Sequence, residues 1–315
     1  MPAFDVTTSE VIEAPLQKVH DAIVDFHTWP TWSPWLFMEP GCSLEYRGTT
    51  GEKDHGYGWR GNKIGAGDMT LLDAGDASNS QHRTVNCDLQ FIKPFKSQAS
   101  VGFVLEALEP SSTKITWTMN SSLPFFMFFM VKKMVAMIRN DYDRGLRLLK
   151  EYVETGDVHM SVEHNGVVDV PASSYHGVSS TTTMAGVHDS MQSSYSTLMS
   201  GLTDSSVEAD GAPFSIYTDT DFVNDRMAYI AAVPTKGDGS VAGAQRGERA
   251  ACRAVKVTQH GSYSHLANGW AMAMGELRFA KLKPNKTIKP FEIYLNDPDQ
   301  TPEQELITEI YVPIR

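Results

Sequence analysis

The apolar residues of this chain follow two rhythms, and the switches between them mark its elements. FDVTTSEVIEA near the start alternates apolar and polar positions, which predicts a strand. Pro15 then stands where a first helical residue is expected, and Leu16, Val19, Ile23 and Phe26 keep helical spacing through LQKVHDAIVDFHTW. From Leu44 to Met119 the pattern is strand-like again, in GDMTLLDAG, HRTVNCDLQF, QASVGFVLEALEP and TKITWTMN, with Gly- and Ser-rich turns between them. Beyond Pro124, the residues Val131, Val135, Ile138, Tyr142, Leu146, Leu149 and Val153 step by three and four, with Arg139, Asp143, Arg147 and Lys150 between them. That spacing predicts one long amphipathic helix, stopped at Gly156.

The second half repeats itself. PFSIY (213–217) recurs as PFEIY (290–294), IAAVP (230–234) as EIYVP (309–313), and YHG (175–177) is echoed by QHG (259–261). Each copy reads strand, helix, strand, strand, and a period near 80 residues implies two copies of one unit packed about a pseudo-twofold axis. The Ser-rich stretch 179–206 carries Met184, Val187, Met191, Tyr195, Leu198 and Leu202 on one helical face, so it is expected to be a helix with a small polar outer face. The matching helix carries Leu266, Trp270, Met274 and Leu277, and TKGDGSVAGAQRGERA (235–250) is expected to be the flexible loop between the copies. The predicted class is α+β: a domain over 1–155, then a duplicated βαββ domain over 156–315 with halves at about 157–235 and 251–315.

Composition narrows the function. With 41% hydrophobic and 21% charged residues among 315, the chain is an ordinary globular protein, long enough for two cores. A net charge of −11 and the lack of a basic helix argue against a nucleic-acid surface. Cys42, Cys87 and Cys252 lie far apart with no CxxC pair, so neither a zinc knuckle nor a disulfide framework is indicated. The N-terminus has no signal-peptide pattern, and the most apolar run, LPFFMFFMVKKMVAMI (123–138), is too short and too interrupted by lysines to span a bilayer. A cytoplasmic location is expected.

Two resemblances follow from these stretches. Residues 1–155, through WPTWSPW (29–35), YGWRGNKIGAGDMTL (57–71), TKITWTMNSSLPF (113–125) and DYDRGLRLLKEY (141–152), resemble the START-like helix-grip superfamily of polyketide cyclases/dehydrases and lipid-transport proteins (SRPBCC). Residues from about 157 to 315, through the duplicated plan, HGSYSHLANGW (260–270) and FEIYLNDPDQTPEQELITEIYVPI (291–314), resemble the GyrI-like small-molecule-binding domain, also found as the effector-binding domain of some multidrug-sensing transcription activators. Such regulators pair the effector domain with a DNA-binding domain, and here a helix-grip domain takes that place.

The chemistry centres on one charge. In ITEIYVP, Ile307, Glu309 and Tyr311 share a face of the last strand. If PFEIYLN and this strand form a hairpin, Tyr294 and Glu309 are expected to face the same side as neighbours, with Phe291, Ile293 and Leu295 packed under the helices. A buried carboxylate costs several kcal/mol, roughly, unless it is satisfied, so a ligand is implied. The family resemblance implies that this glutamate contacts cationic aromatic ligands, or in some members acts in hydrolysis of reactive cyclopropane-bearing compounds. The aromatic walls of the ligand site are expected to be Tyr263, Trp270, Tyr294 and Tyr311, with Tyr175 and Tyr217 from the first copy. In a catalytic version, Glu309 would be the general base and Tyr294 or Tyr263 the proton donor.

In the first domain, the Phe/Met-rich start of the long helix suggests a pliable cavity wall for a hydrophobic ligand. The expected lining is Trp35, Trp59, Phe126, Met130 and Met134, with Trp29 and Trp32 structural at the mouth. GYGWRG (56–61) matches GxGxxG, but a strand-like segment follows it rather than a helix, so no dinucleotide is expected. His260 and His265, like His159 and His164, are five apart without a completing carboxylate, and no metal site and no cofactor are expected in the chain. No GxSxG elbow is present, and RFAKLKPNK (278–286) reads as a solvated helix end. The leading expectation is a protein that binds a hydrophobic or aromatic small molecule. A hydrolase of electrophiles and a gyrase-inhibitor-like protein-interaction module are the alternatives.

Overall fold

The computed structural model describes residues 3–122 and 125–315, with side chains throughout except at 125–127. The chain divides into two compact units, Met1–His159 and Met160–Arg315. Among the described residues, no helix is long and apolar enough to cross a membrane.

The first unit is an antiparallel sheet held by a long helix. Its strands are β1 (Ala3–Ile12), β2 (Ser43–Arg47), β3 (Gly56–Arg60), β4 (Ala66–Asp73), β5 (His82–Lys93), β6 (Ser97–Glu109) and β7 (Ser112–Ser122), in the order β1-β7-β6-β5-β4-β3-β2. After β1 come α1 (Leu16–Val24) and the single turn α2 (Trp29–Trp32), and after a 3-10 segment at Phe125–Met130 comes α3 (Val131–Thr155). Alternation on the inner strands buries Val85, Cys87 and Leu89, then Val101, Phe103 and Leu105, on one face.

Helix α3 covers that face with its second half, through Tyr142, Leu146, Leu149 and Val153. Its first half is only partly buried at Val131, Met134, Val135 and Ile138. Gly156 ends it in the left-handed region (φ 94°), which a residue with a Cβ adopts only at a cost. Gly145 has a different reason to be glycine. A Cβ there would stand 2.8 Å from the Trp117 ring and 3.0 Å from Pro34, so the bare backbone is what lets the helix approach the sheet.

The space between helix and sheet is filled by rings. Trp117 stacks on Tyr142 at 4.0 Å and 17°, Trp35 meets both edge-on, and Trp29 and Trp32 are fully buried, Trp29 edge-on to Phe103 and Trp32 edge-on to Trp117. Trp29 and Trp32 are therefore core residues rather than residues at a cavity mouth.

The second unit carries β8 (Ser161–Val170), β9 (Ser173–Thr182), β10 (Glu208–Ala209), β11 (Phe214–Asp221), β12 (Arg226–Lys236), β13 (Gln245–Arg249), β14 (Cys252–His260), β15 (Phe291–Tyr294) and β16 (Ile307–Ile314). Its helices are α4 (Val187–Thr203) and α5 (Leu266–Phe279). The main sheet runs β13-β9-β12-β11-β15-β16-β14-β8, with β10 added to β12. Each copy is strand, helix, strand, strand: β9-α4-β11-β12 and β14-α5-β15-β16. They meet at the centre, where β11 and β15 pair antiparallel and bond reciprocally, Tyr217 N to Pro290 O at 2.9 Å and Tyr294 N to Pro213 O at 3.0 Å.

This sheet curls. Residues 171–172 join β8 to β9 and residues 250–251 join β13 to β14, although each pair lies near opposite ends of the strand order. Three peptide steps reach about 10 Å at most, so the two edges must approach at that end. Arg249 ties them, donating to Pro171 O at 3.0 Å. Inside the curl lies a core of Tyr175, Phe214, Ile216, Phe291 and Tyr311, while α4 and α5 pack on the other face.

Two expectations are corrected. The stretch 179–206 is not one helix: β9 runs to Thr182 and α4 begins at Val187, because its first residues pair with β12. Nor is 235–250 a free loop, since β12 extends to Lys236, Val241 is buried against Leu198 and Leu202, and Gln245–Arg249 add an edge strand to β9.

Candidate functional site

Strand parity decides which carboxylate meets the aromatic residues. In the β15–β16 hairpin, Ile293 lies opposite Glu309, Tyr294 opposite Thr308 and Phe291 opposite Tyr311. The hairpin is closed by Leu295 N on Ile307 O and by Ile307 N on the Asn296 side chain. Tyr294 and Glu309 are thus offset by one residue from the expected pairing, and one residue of offset puts them on opposite faces. Phe291 and Ile293 point into the curl instead of under the helices, and Glu292 and Tyr294 take the helix face.

Glu292 is the acid of that face. It is 1% exposed, and its Oε2 accepts from the Tyr294 hydroxyl at 2.8 Å and the Tyr217 hydroxyl at 2.9 Å, while Oε1 accepts from Trp270 Nε1. Ser215 Oγ lies 3.1 Å from both the Tyr294 and Tyr195 hydroxyls, and Met191 Sδ is 3.8 Å from the Tyr294 oxygen. Strands β11 and β15 thus supply the floor, α4 supplies Tyr195 and Met191, and α5 supplies Trp270. Tyr217 meets Trp270 edge-on at 5.2 Å, and Tyr263, in the turn before α5, meets Tyr294 at 5.5 Å. These rings are partly exposed, above strand residues Ser215 and Glu292 that are buried.

The electrostatics follow from burial. Desolvation raises the Glu292 carboxyl, and hydrogen bonds from Trp270, Tyr294 and Tyr217 pull it part of the way back. No cation contributes to its environment among the described residues. Desolvation and the nearby carboxylate push the Tyr217 and Tyr294 phenols well above their usual range, and Tyr263 rises to about 12 from burial first. The phenols therefore stay protonated and serve as donors.

Of the residues expected to form the ligand site, the structure brings Tyr217, Tyr263, Trp270 and Tyr294 together. It places Glu309, Tyr311 and Tyr175 on the other face. Glu309 pairs with Lys256 Nζ at 2.6 Å and accepts from the Tyr311 hydroxyl at 2.5 Å, so its charge is already answered within the sheet. The Tyr311 ring stacks on Phe291 at 4.8 Å, and Tyr175 packs edge-on against Phe214. Glu292, Ser215, Tyr195 and Met191 were missed. The repeat itself held the signal, since aligning PFSIY with PFEIY singles out the Ser215/Glu292 position as the one polar difference.

The residues expected to wall a cavity in the first unit make separate contacts among the described residues. Trp35 packs on Trp117 and Tyr142, Trp59 on Tyr57 and Phe91, and Met130 and Met134 are partly exposed on α3. The Phe126 side chain lies outside the described residues. A depression of about 290 Å³ lies elsewhere, across Asn86, Ser100, Gly102, Thr118 and Asn120 on the sheet.

Among solved structures, the EcmrR–DNA complex is 14% identical, with 59% of this chain and 69% of that one covered and a TM-score of 0.42. SAV2435 bound to tetraphenylphosphonium is 16% identical over 49% of this chain and 94% of that one (TM-score 0.39). TTHA0849 from Thermus thermophilus is 18% identical over 48% and 97% (TM-score 0.36). No curated protein matches the chain. The chain joins a domain of the polyketide cyclase / dehydrase and lipid transport family, matched over residues 3–154, to a GyrI-like small molecule binding domain, matched over residues 167–315.

Proposed function

We propose that the GyrI-like domain binds an aromatic or amphipathic cation in the groove between α4 and α5, with Glu292 as the counter-charge. The observation that carries this reading is a carboxylate at 1% exposure whose partners are all neutral donors. Three donors recover part of the cost of removing such a charge from water, and a cation over the floor would recover more. The edge-on pairs Tyr217–Trp270 and Tyr263–Tyr294 present ring faces to a guest, which suits stacking and cation–π contact. Met191 adds a pliable wall for guests of different outline.

The test is charge preference. Tetraphenylphosphonium and a neutral aromatic of equal size are titrated into the full chain, with Trp fluorescence as the readout. Binding of the cation at least ~10-fold tighter supports the reading, and equal affinity contradicts it.

A second reading rests on the raised carboxyl of Glu292. A desolvated carboxylate beside protonated phenols can act as a general base on water, with Tyr294 or Tyr263 as the donor to a leaving atom. Turnover of a bound electrophile that disappears in Glu292→Gln while binding of that electrophile persists would favour hydrolysis over storage or sensing.

A further inference from the structure

Apart from the groove, one cluster in the first unit has the donor chemistry of a metal site. Asp25 follows α1, His27 lies two residues on, and His55 immediately precedes β3. Their ligating atoms all lie within 4.8 Å of one another. His55 is fully buried, its ring stacked on Phe26 at 4.9 Å and 18°. Its Nδ1 is 3.1 Å from the Arg47 carbonyl oxygen, which can only accept, so Nδ1 carries the proton and Nε2 carries the lone pair. That Nε2 is buried and has no hydrogen-bond partner.

A buried imidazole nitrogen with a free lone pair is unusual, since buried polar atoms are nearly always satisfied. Holding one ring N–H on a backbone carbonyl while the other nitrogen stays open is also how metal-binding histidines are commonly oriented. His27 is stacked on Tyr46 at 4.1 Å and lies with Nδ1 2.9 Å from Asp25 Oδ1, at the solvent-facing side of the cluster.

We propose that Asp25, His27 and His55 bind a divalent transition-metal ion of the zinc class, as two imidazoles and one carboxylate. Zinc bonds near 2.1 Å place neighbouring donors about 3.4 Å apart in a tetrahedron, so the cluster must close by roughly 1.4 Å at its widest. The partners able to move are the right ones: the side chains of His27 and Asp25 are 54% and 35% exposed, while His55 is fixed. Three protein ligands leave a fourth position for water, on the solvent side where His27 and Asp25 lie. A nitrogen- and carboxylate-rich set suits zinc, and in its absence the ions that precede zinc in affinity for imidazole; it does not suit magnesium or calcium.

The experiment uses the full chain, stripped with EDTA and offered zinc in competition with a chromogenic chelator, with cobalt(II) in parallel for its visible spectrum. The wild type should remove one zinc per chain from the chelator and give a cobalt spectrum of low coordination number. Because His55 is buried and its loss could unfold the unit, the diagnostic variants are the exposed His27→Ala and Asp25→Asn. Each should lose at least ~10-fold in zinc affinity while keeping the circular dichroism of the wild type. His159→Ala, at an unrelated exposed histidine, should leave uptake unchanged. A wild type that leaves the chelator's zinc untouched, or zinc uptake equal in the wild type, His27→Ala and Asp25→Asn, overturns the proposal.

Discussion

Ser215 and Glu292 lie directly opposite each other on the paired central strands, each third in its copy of the repeated PFxIY motif. Around each, the domain builds the same arrangement: a helix aromatic, Tyr195 or Trp270, reaching the polar strand residue, and a tyrosine two residues further on. The pseudo-twofold is thus kept in the scaffold and broken in charge at one pair of side chains, where one copy is a hydroxyl and the other a carboxylate. On the proposed reading, a single charge in this aromatic frame would give a guest one orientation.

Replacing the hydroxyl tests the frame. Ser215→Ala removes the group shared by Tyr195 and Tyr294 and should lower stability by about 1 kcal/mol, read from urea denaturation. It should weaken binding of an aromatic cation less than a change at Glu292 does, because the charge remains.

Glu292 should give the domain a pH dependence of defined sign. Burial raises the folded carboxyl above its unfolded value, so the folded state holds that proton to higher pH. The stability this confers is complete below the ordinary carboxylate range and is lost as pH rises through the raised folded value. Glu292→Gln cannot ionise and escapes the loss, so without ligand it should be more stable than wild type at neutral pH by about 1 kcal/mol or more. Melting temperatures taken from acid to neutral pH should show the two proteins converging toward acid.

Glu309 should behave otherwise. Its charge is matched by Lys256, and the side chains of Lys256 and Glu309 are 22% and 16% exposed. Glu309→Gln should cost about 1–2 kcal/mol of stability by leaving Lys256 without its anion. Cation affinity should stay within about twofold of wild type, since the residue faces the other side of the sheet. Isothermal titration of this variant checks both the parity of the hairpin and the site.

Gly145 is a packing constraint in the first unit. Alanine is the better helix former by about 1 kcal/mol. Gly145→Ala should nevertheless destabilise the protein by about 1–3 kcal/mol, because its Cβ meets Trp117 and Pro34 inside contact distance. Guanidinium unfolding followed by Trp fluorescence would show it.

The fold was legible where one rhythm runs long. The spacing from Val131 to Val153 and the stop at Gly156 mark α3, and the repeated PFxIY strands mark the duplication. The acid of the candidate site was not legible because two short segments, FEIY and ITEIY, each set one glutamate among apolar residues, and a sequence does not state how the loop from Leu295 to Leu306 registers them. One residue of register exchanges Glu292 for Glu309. The edge strand Gln245–Arg249 was hidden by its glycine and charges, because its partner is β9, some 70 residues earlier. The cluster of Asp25, His27 and His55 was hidden for a similar reason: its third member comes from the segment just before β3, far from the other two in sequence.

The most direct test of the account is the affinity of a lipophilic aromatic cation for wild type and Glu292→Gln, measured by isothermal titration at a pH where the carboxyl is ionised. The account predicts a loss of about 1.5–3 kcal/mol, roughly 10- to 100-fold, for the cation and little change for a neutral aromatic of the same size. Equal affinity of the cation for both proteins would contradict it.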